Sequence, residues 1–300
     1  MGKQPLFHQG LAIVNAYEIL PSVRHYVSRM EEELKLLGVT LVIRQASEIF
    51  AYIGSDGALK QGDLPYDFVL FLDKDRYIAK MVEATGIRMF NSARSIELCD
   101  DKMETYFALR NQGIYMPKTI SAPLRYSLKD DGVFFENLRK NLSFPIVVKS
   151  NYGSQGNGVF LAENLADLLQ IESELAQRPH LFQEYISTAC GKDSRLIIID
   201  GKFVAGYVRH NEKDFRSNLA QGGKGETHVM SPKQIEVAET AARILGLDYC
   251  GVDLLDSGDP SRPILCEVNS NAFIKGAEEV TGINIAGAYA KHIVDQIYKN

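Results

Sequence analysis

Cys250-Gly251-Val252-Asp253-Leu254-Leu255 and Ile264-Leu265-Cys266-Glu267-Val268-Asn269-Ser270-Asn271 are two apolar runs separated by the turn-rich Asp256-Ser257-Gly258-Asp259-Pro260-Ser261-Arg262-Pro263. Short aliphatic runs bounded by Gly, Pro and Asp predict a hairpin. Side chains alternate faces along a strand, so Glu267 and Asn269 share one face, Cys266 and Val268 take the other, and Asp253 faces the first pair from the neighbouring strand. Three hard oxygen donors at that spacing suit Mg²⁺, or Mn²⁺ in its place, with further oxygens supplied by water and nucleotide phosphates. An ordinary hairpin whose acidic face meets water reads the same way, and the hairpin by itself leaves both readings open.

Upstream stretches bear on the choice. Phe144-Pro145-Ile146-Val147-Val148-Lys149 is a strand ending in lysine, followed by Ser150-Asn151-Tyr152-Gly153-Ser154-Gln155-Gly156-Asn157-Gly158 and a second strand at 159–162. The glycines therefore sit in a hairpin loop. It is no Walker A loop, because no Lys-Ser/Thr pair follows and a strand comes next. Glycine still lets backbone N–H groups close over phosphates, and Lys149 at the base of the loop meets the same anions; a flexible hairpin tip is the plainer alternative. A helix from about 100 to 112 puts Met103, Tyr106, Phe107 and Arg110 on one face and stops at Gly113. Lys102 in its first turn opposes the helix dipole, which suggests a role, although a solvated lysine fits as well. At Gln183-Glu184-Tyr185-Ile186 a strand becomes a connection whose backbone groups are free for an adenine edge, and Asp214-Phe215-Arg216-Ser217-Asn218-Leu219-Ala220-Gln221-Gly222-Gly223 is a polar loop carrying an arginine.

The first ninety residues alternate strands at 11–15, 39–44, 67–72 and 87–90 with helical spacing at Val23, Tyr26, Val27, Met30, Leu34 and Leu37 and a helix at 75–84, the pattern of a parallel sheet covered by helices. No G-x-G-x-x-G follows the first strand, so this lobe is not expected to hold a nucleotide. Strands at 194–199 and 203–208 flank the turn Asp200-Gly201, and helices are expected at 166–176 and 232–245. Three hundred residues suggest two or three lobes. A net charge of −5 and a pI near 5.8 carry no footprint for nucleic acid. The four cysteines form no CxxC pair, which fits a reduced cytoplasmic setting; no targeting signal and no membrane partner are expected.

Taken in order, Lys149 with the glycine hairpin, Gln183-Glu184-Tyr185-Ile186, the loop 214–223, Gly251-Val252-Asp253 and Glu267-Val268-Asn269 resemble the ATP-grasp superfamily, and most closely its branch with the ribosomal protein S6 modification enzyme, an α-L-glutamate ligase. The resemblance covers about 98–295. It implies an α/β (α+β) fold with a Rossmann-like pre-ATP-grasp domain over 1–97, a central lobe with the glycine loop over 98–187 and a metal-bearing lobe over 188–300, the last two clamping ATP. It also implies roles: Lys102, Lys149 and the loop residues Gly153, Ser154, Gly156 and Gly158 on phosphates, Gln183, Glu184, Tyr185 and Ile186 around adenine, and Asp193 on ribose. Arg216 and Asn218 would reach the terminal phosphate, with Lys149 and Arg216 catalytic, and Asp253, Glu267 and Asn269 would hold magnesium.

The activity implied is ADP-forming ligation of an amino acid, L-glutamate first among candidates, to the carboxylate of a peptide, a protein C-terminus or a small acid through an acyl phosphate. Arg209, Arg216, Asn271 and Lys275 are the expected substrate contacts, and relatives of this architecture often form homo-oligomers. The S6-modifying enzymes carry a Ser-Pro-Gly type turn where this chain reads Ser270-Asn271-Ala272-Phe273-Ile274-Lys275-Gly276, nearer to relatives acting on a carrier protein's terminal glutamate with a different amine. A non-catalytic ATP-binding regulatory module of the same fold is the competing reading, since fold alone does not specify chemistry.

Overall fold

The computed structural model describes residues 8–127, 132–218 and 222–298; Leu219, Ala220 and Gln221 of the polar loop lie outside them. The chain begins with β1 (His8–Val14), α1 (Pro21–Leu36) and β2 (Val39–Gln45), continues through a small hairpin of β3 (Ala51–Ile53) and β4 (Leu59–Gln61), and then forms β5 (Phe68–Phe71), α2 (Arg76–Glu83) and β6 (Arg88–Phe90). Strands β2-β1-β5-β6 make one parallel sheet. Leu11, Ala12, Ile13 and Val14 are all buried, as a strand covered on both faces requires. Pro21 opens α1, whose Tyr26, Val27, Met30 and Leu34 face the core. The β3–β4 hairpin has no counterpart among the expected elements: its strands are three residues each, too short to show a period.

The helix expected at 100–112 is two helices, α3 (Ala93–Asp100) and α4 (Lys102–Leu109). Asp101 separates them because its extended backbone and its side chain, which accepts from the Met103 and Glu104 N–H groups, make it an N-cap. Lys102 thereby becomes the first residue of α4 and is buried, whereas Phe107, expected on the inner face, is exposed.

Next come β7 (Thr119–Ser121), α5 (Val133–Asn141), β8 (Ile146–Ser150), β9 (Val159–Ala162), α6 (Leu165–Leu175) and β10 (His180–Glu184), with strands β7-β10-β8-β9 in an antiparallel sheet. Phe135, Leu138, Ile146, Val148, Leu168 and Phe182 give this lobe its own core. The chain closes with β11 (Lys192–Ile199), β12 (Lys202–His210), β13 (Lys224–Thr227), α7 (Pro232–Leu245), β14 (Tyr249–Leu255), β15 (Ile264–Asn269), α8 (Ile274–Thr281) and α9 (Ile285–Tyr298). Strands β13-β12-β11-β14-β15 form an antiparallel sheet.

The first and last parts of the chain share a core, in which Ala12, Met30 and Phe68 lie with Ile197, Tyr207, Tyr249 and Tyr289. Residues 98–109, expected with the glycine-loop lobe, send Cys99, Tyr106 and Leu109 into the core under the C-terminal sheet. Buried Asn91 ties the two ends together: its Oδ1 accepts from the Asp248 and Tyr249 N–H groups, and its Nδ2 donates to the Tyr249 and Ser270 carbonyls. The glycine-loop lobe stands over this joint body, and the cleft between them holds the site.

Candidate active site

Strand register brings the charged residues into rows across the C-terminal sheet. Arg195 on β11 lies opposite Asp253 on β14, Asp253 lies opposite Glu267 on β15, and Asp193 on β11 lies opposite Arg209 on β12. Like charges directly across a ladder repel, so the Asp253–Glu267 pair needs cations. Asp253, 2% exposed, receives Arg195 Nε at 2.7 Å and Nη2 at 2.6 Å, and Arg209 Nη2 at 2.9 Å. Burial alone would raise its carboxyl pKa; the two guanidiniums outweigh that and hold it below the usual carboxylate range. Arg209 Nε also donates to Asp193 Oδ1 at 2.7 Å, and its Nη2 to Asp193 Oδ2. Glu267 faces Lys102 Nζ at 3.7 Å.

The hairpin carries a bulge. Leu254 pairs with Leu265 while Asp253 pairs with Glu267, leaving Cys266 as the extra residue. Cys266, expected on the face opposite Glu267, instead lines the same cleft, with its carbonyl fixed by Tyr106 Oη at 2.6 Å and its Sγ 3.5 Å from Lys149 Nζ. Burial lowers the pKa of the Lys149 ammonium, but Cys266, Tyr106 and Glu267 outweigh it and hold the pKa above its ordinary value. For Lys102, burial wins over Glu267 and the pKa falls.

Above this floor, Gly153 (φ 146°), Gly156 (φ 79°) and Gly158 (φ 74°) shape the loop between β8 and β9. A Cβ on Gly153 would lie 2.8 Å from the Asn157 carbonyl oxygen, so the turn admits no side chain there. Gly153, Ser154 and Gly156 line the cleft, and Gly158 packs on Ser150 behind it. Arg216 spans the lobes: Nη1 donates to the Gly156 carbonyl at 3.0 Å, while Nε and Nη2 hold Asp214 at 3.0 and 2.6 Å. Along the back wall Gln183 is held by Thr119, and Glu184 turns its Oε1 to the Lys118 N–H at 2.7 Å. Tyr185 and Ile186 complete an apolar slot with Pro117, Val147 and Leu255.

With the loop down, this cavity is about 110 Å³, well under the roughly 300–1,000 Å³ of small-molecule sites, so a nucleotide requires the loop to lift. A second cavity of about 490 Å³ shares Ser154, Arg209, Asn218 and Glu267 with the first and extends to Asn15, Asp73, Tyr207, Asn269 and Asn271. The Asn271 side chain donates to the Asp73 carbonyl at 3.1 Å. One expected substrate contact needs correction. Lys275 lies on the solvent face of α8, 3.8 Å from Glu279 one turn along, and lines neither cavity. Arg209 lines both cavities and is buried, with its fork on Asp193 and Asp253. Arg195 escaped the sequence reading, although an arginine beside Leu196-Ile197-Ile198-Ile199 signals a buried cation that must have a partner.

Among the described residues no group of three or more His, Cys, Asp or Glu side chains is placed to hold a metal. The fit therefore depends on Asn269, whose side-chain Nδ2 is buried without a hydrogen-bond partner. Exchanging the amide's O and N presents a bare oxygen at that place, as a metal ligand would. With Asp253 and Glu267 the set is all-oxygen and suits a hard divalent cation completed by phosphate oxygens.

The family model described as the RimK-like ATP-grasp domain matches residues 99–293. The chain belongs to this family. It is 38% identical over 214 residues to a probable alpha-L-glutamate ligase of Psychromonas ingrahamii, covering 70% of this chain and 68% of that one. It is 30% identical over 222 residues to the human N-acetylaspartylglutamate synthase A, covering 73% of this chain but 56% of the human protein. The RimK domain protein of Sphaerobacter thermophilus, an ATP-grasp structure, superposes with a TM-score of 0.70 at 20% identity, covering 95% of this chain and 99% of that one. The ATP-grasp fold is thus shown for nearly the whole chain, and ATP binding with a divalent metal is general to it. Among the described residues no helix of this RimK-like chain is long and apolar enough to cross a membrane.

Proposed function

We propose that this RimK-like chain is an ADP-forming carboxylate–amine ligase that joins L-glutamate, as amine donor, to a carboxylate acceptor through an acyl phosphate. The observation that carries the reading is that the two cavities adjoin at Ser154, Arg209, Asn218 and Glu267, which puts a phosphate in one next to a carboxylate in the other. Transfer of the γ-phosphoryl group to the acceptor breaks its bond to ADP and forms a carboxyl–phosphate bond. Attack by the amine nitrogen on that carbonyl then expels phosphate, and the nitrogen loses a proton. Lys149 and Lys102 hold the phosphates from below, the glycine loop closes over them, and Arg216 pins the loop while its charge faces the transferring group. Asp253, Glu267 and Asn269 would hold Mg²⁺, which supplies charge neutralisation on the phosphates. Arg209, Arg216 and Asn271 are the substrate contacts carried forward from the sequence; the names of the relatives support glutamate.

The test is phosphate release from ATP and Mg²⁺ with panels of amino acids and of peptides and small acids, with product masses recorded. Release that needs both partners, and is greatest with L-glutamate, is expected. Release that ignores the amine would sink the ligase reading. A neutral or basic amino acid outperforming glutamate would sink only the specificity.

A further inference from the structure

Each carboxylate of the metal hairpin already faces a protein cation. Asp253 takes the planar fork of Arg195 through both oxygens and a third nitrogen from Arg209, and Glu267 faces Lys102. At the hairpin itself, Arg195, Arg209 and Lys102 lie within ion-pair distance of Asp253 and Glu267. The remaining donor, Asn269, is neutral. A bare divalent cation would have to approach beside these three cations and take a ligand, Asp253, that is buried and already engaged, and burial leaves little solvent to screen the repulsion.

We infer, on the ligase reading above, that Arg195 and Arg209 close the metal site to a free divalent cation and that nucleotide phosphates open it. Polyphosphate brings negative charge that offsets these cations. Arg209 lines both cavities, so a phosphate entering the first offers its Nη2 an anion in place of Asp253. Arg195 is the fixed member: it sits across the ladder from Asp253, bonds it through two nitrogens and lines only the second cavity. It is a positioning residue, aiming the carboxylate and lowering its affinity for a cation that arrives alone. Metal and nucleotide binding are then coupled, each strengthening the other by the same factor.

Protein-bound Mn²⁺, read from water-proton relaxation, tests this with and without a non-hydrolysable ATP analogue. The native chain is expected to bind Mn²⁺ at least about tenfold more weakly without the analogue than with it, a factor worth about 1.4 kcal/mol. Arg195→Met, which keeps the stem and removes the charge, is expected to bind Mn²⁺ without nucleotide at least about tenfold more tightly than the native chain, and Arg195→Lys to fall between them. Equal native affinity in both conditions overturns the inference, as does an Arg195→Met protein with native near-ultraviolet dichroism and native Mn²⁺ affinity. Should Arg195→Met not fold, Arg195→Lys decides by the same comparison. Calorimetry of the analogue alone separates the two levels: analogue binding with nucleotide-independent Mn²⁺ overturns only the coupling, and no analogue binding overturns the ligase reading with it.

Discussion

Glu267 is the residue on which the proposed chemistry turns, because it faces both the phosphate-side lysine Lys102 and the second cavity. Glu267→Gln keeps the shape and removes the charge. Turnover is expected to fall about 100-fold or more, while the melting temperature stays within a few degrees, since the glutamine keeps the side chain's shape. Unchanged turnover at ordinary Mg²⁺ would remove Glu267 from the metal set. Lys149 is the complementary case. Its buried ammonium is held charged by its neighbours, so it addresses anions rather than the base. Lys149→Ala is therefore expected to weaken ATP more than AMP in a calorimetric titration, and equal losses would place it elsewhere in the cleft.

The glycine loop is the element that must both open and close. Its closed form is set by residues with positive φ, including Gln155 (φ 59°), and by polar contacts across the cleft, from Arg216 to the Gly156 carbonyl and from Lys102 to the Gly153 carbonyl. Gly153→Ala asks a side chain to adopt φ 146° 2.8 Å from a carbonyl oxygen. A strain of about 1–3 kcal/mol confined to the loop follows. The KM for ATP is expected to rise, with the KM for the amine and the unfolding midpoint nearly unchanged. An unaltered KM for ATP would mean that the loop does not close as described. The neighbouring β14–β15 element shows why alternation misplaced one residue: a bulge adds a residue without changing composition, so Cys266 reads as a core position in the sequence and is a cleft position in the fold.

Over the whole molecule, stability depends on joining the two ends of the chain. Asn91 satisfies both donors and both acceptor directions of its amide across that junction. Asn91→Ala leaves several buried backbone groups unpaired and is expected to cost about 3 kcal/mol in urea unfolding. A loss below about 1 kcal/mol would show that water replaces the amide.

Most of the strand and helix pattern, though not α5, α8 or α9, the glycine hairpin, Lys149 and the Glu267–Asn269 spacing were legible in the sequence because they are local: period, turn chemistry and residue type fix them over a few positions. The same holds for the family, whose motifs recur in order and match residues 99–293. The partition of cores was not local. Cys99, Tyr106 and Leu109 are apolar in either lobe, and only three-dimensional proximity assigns them to the C-terminal sheet. Nor were the partners of Asp253. A carboxylate on a strand reads as a metal ligand whether or not Arg195 stands opposite, and the β11–β14 register that sets the arginine there joins residues 58 apart in the chain. Local pattern determined what each element is; long-range register and packing decided which charges meet, because Coulomb energy depends on distance in space and not on distance along the chain.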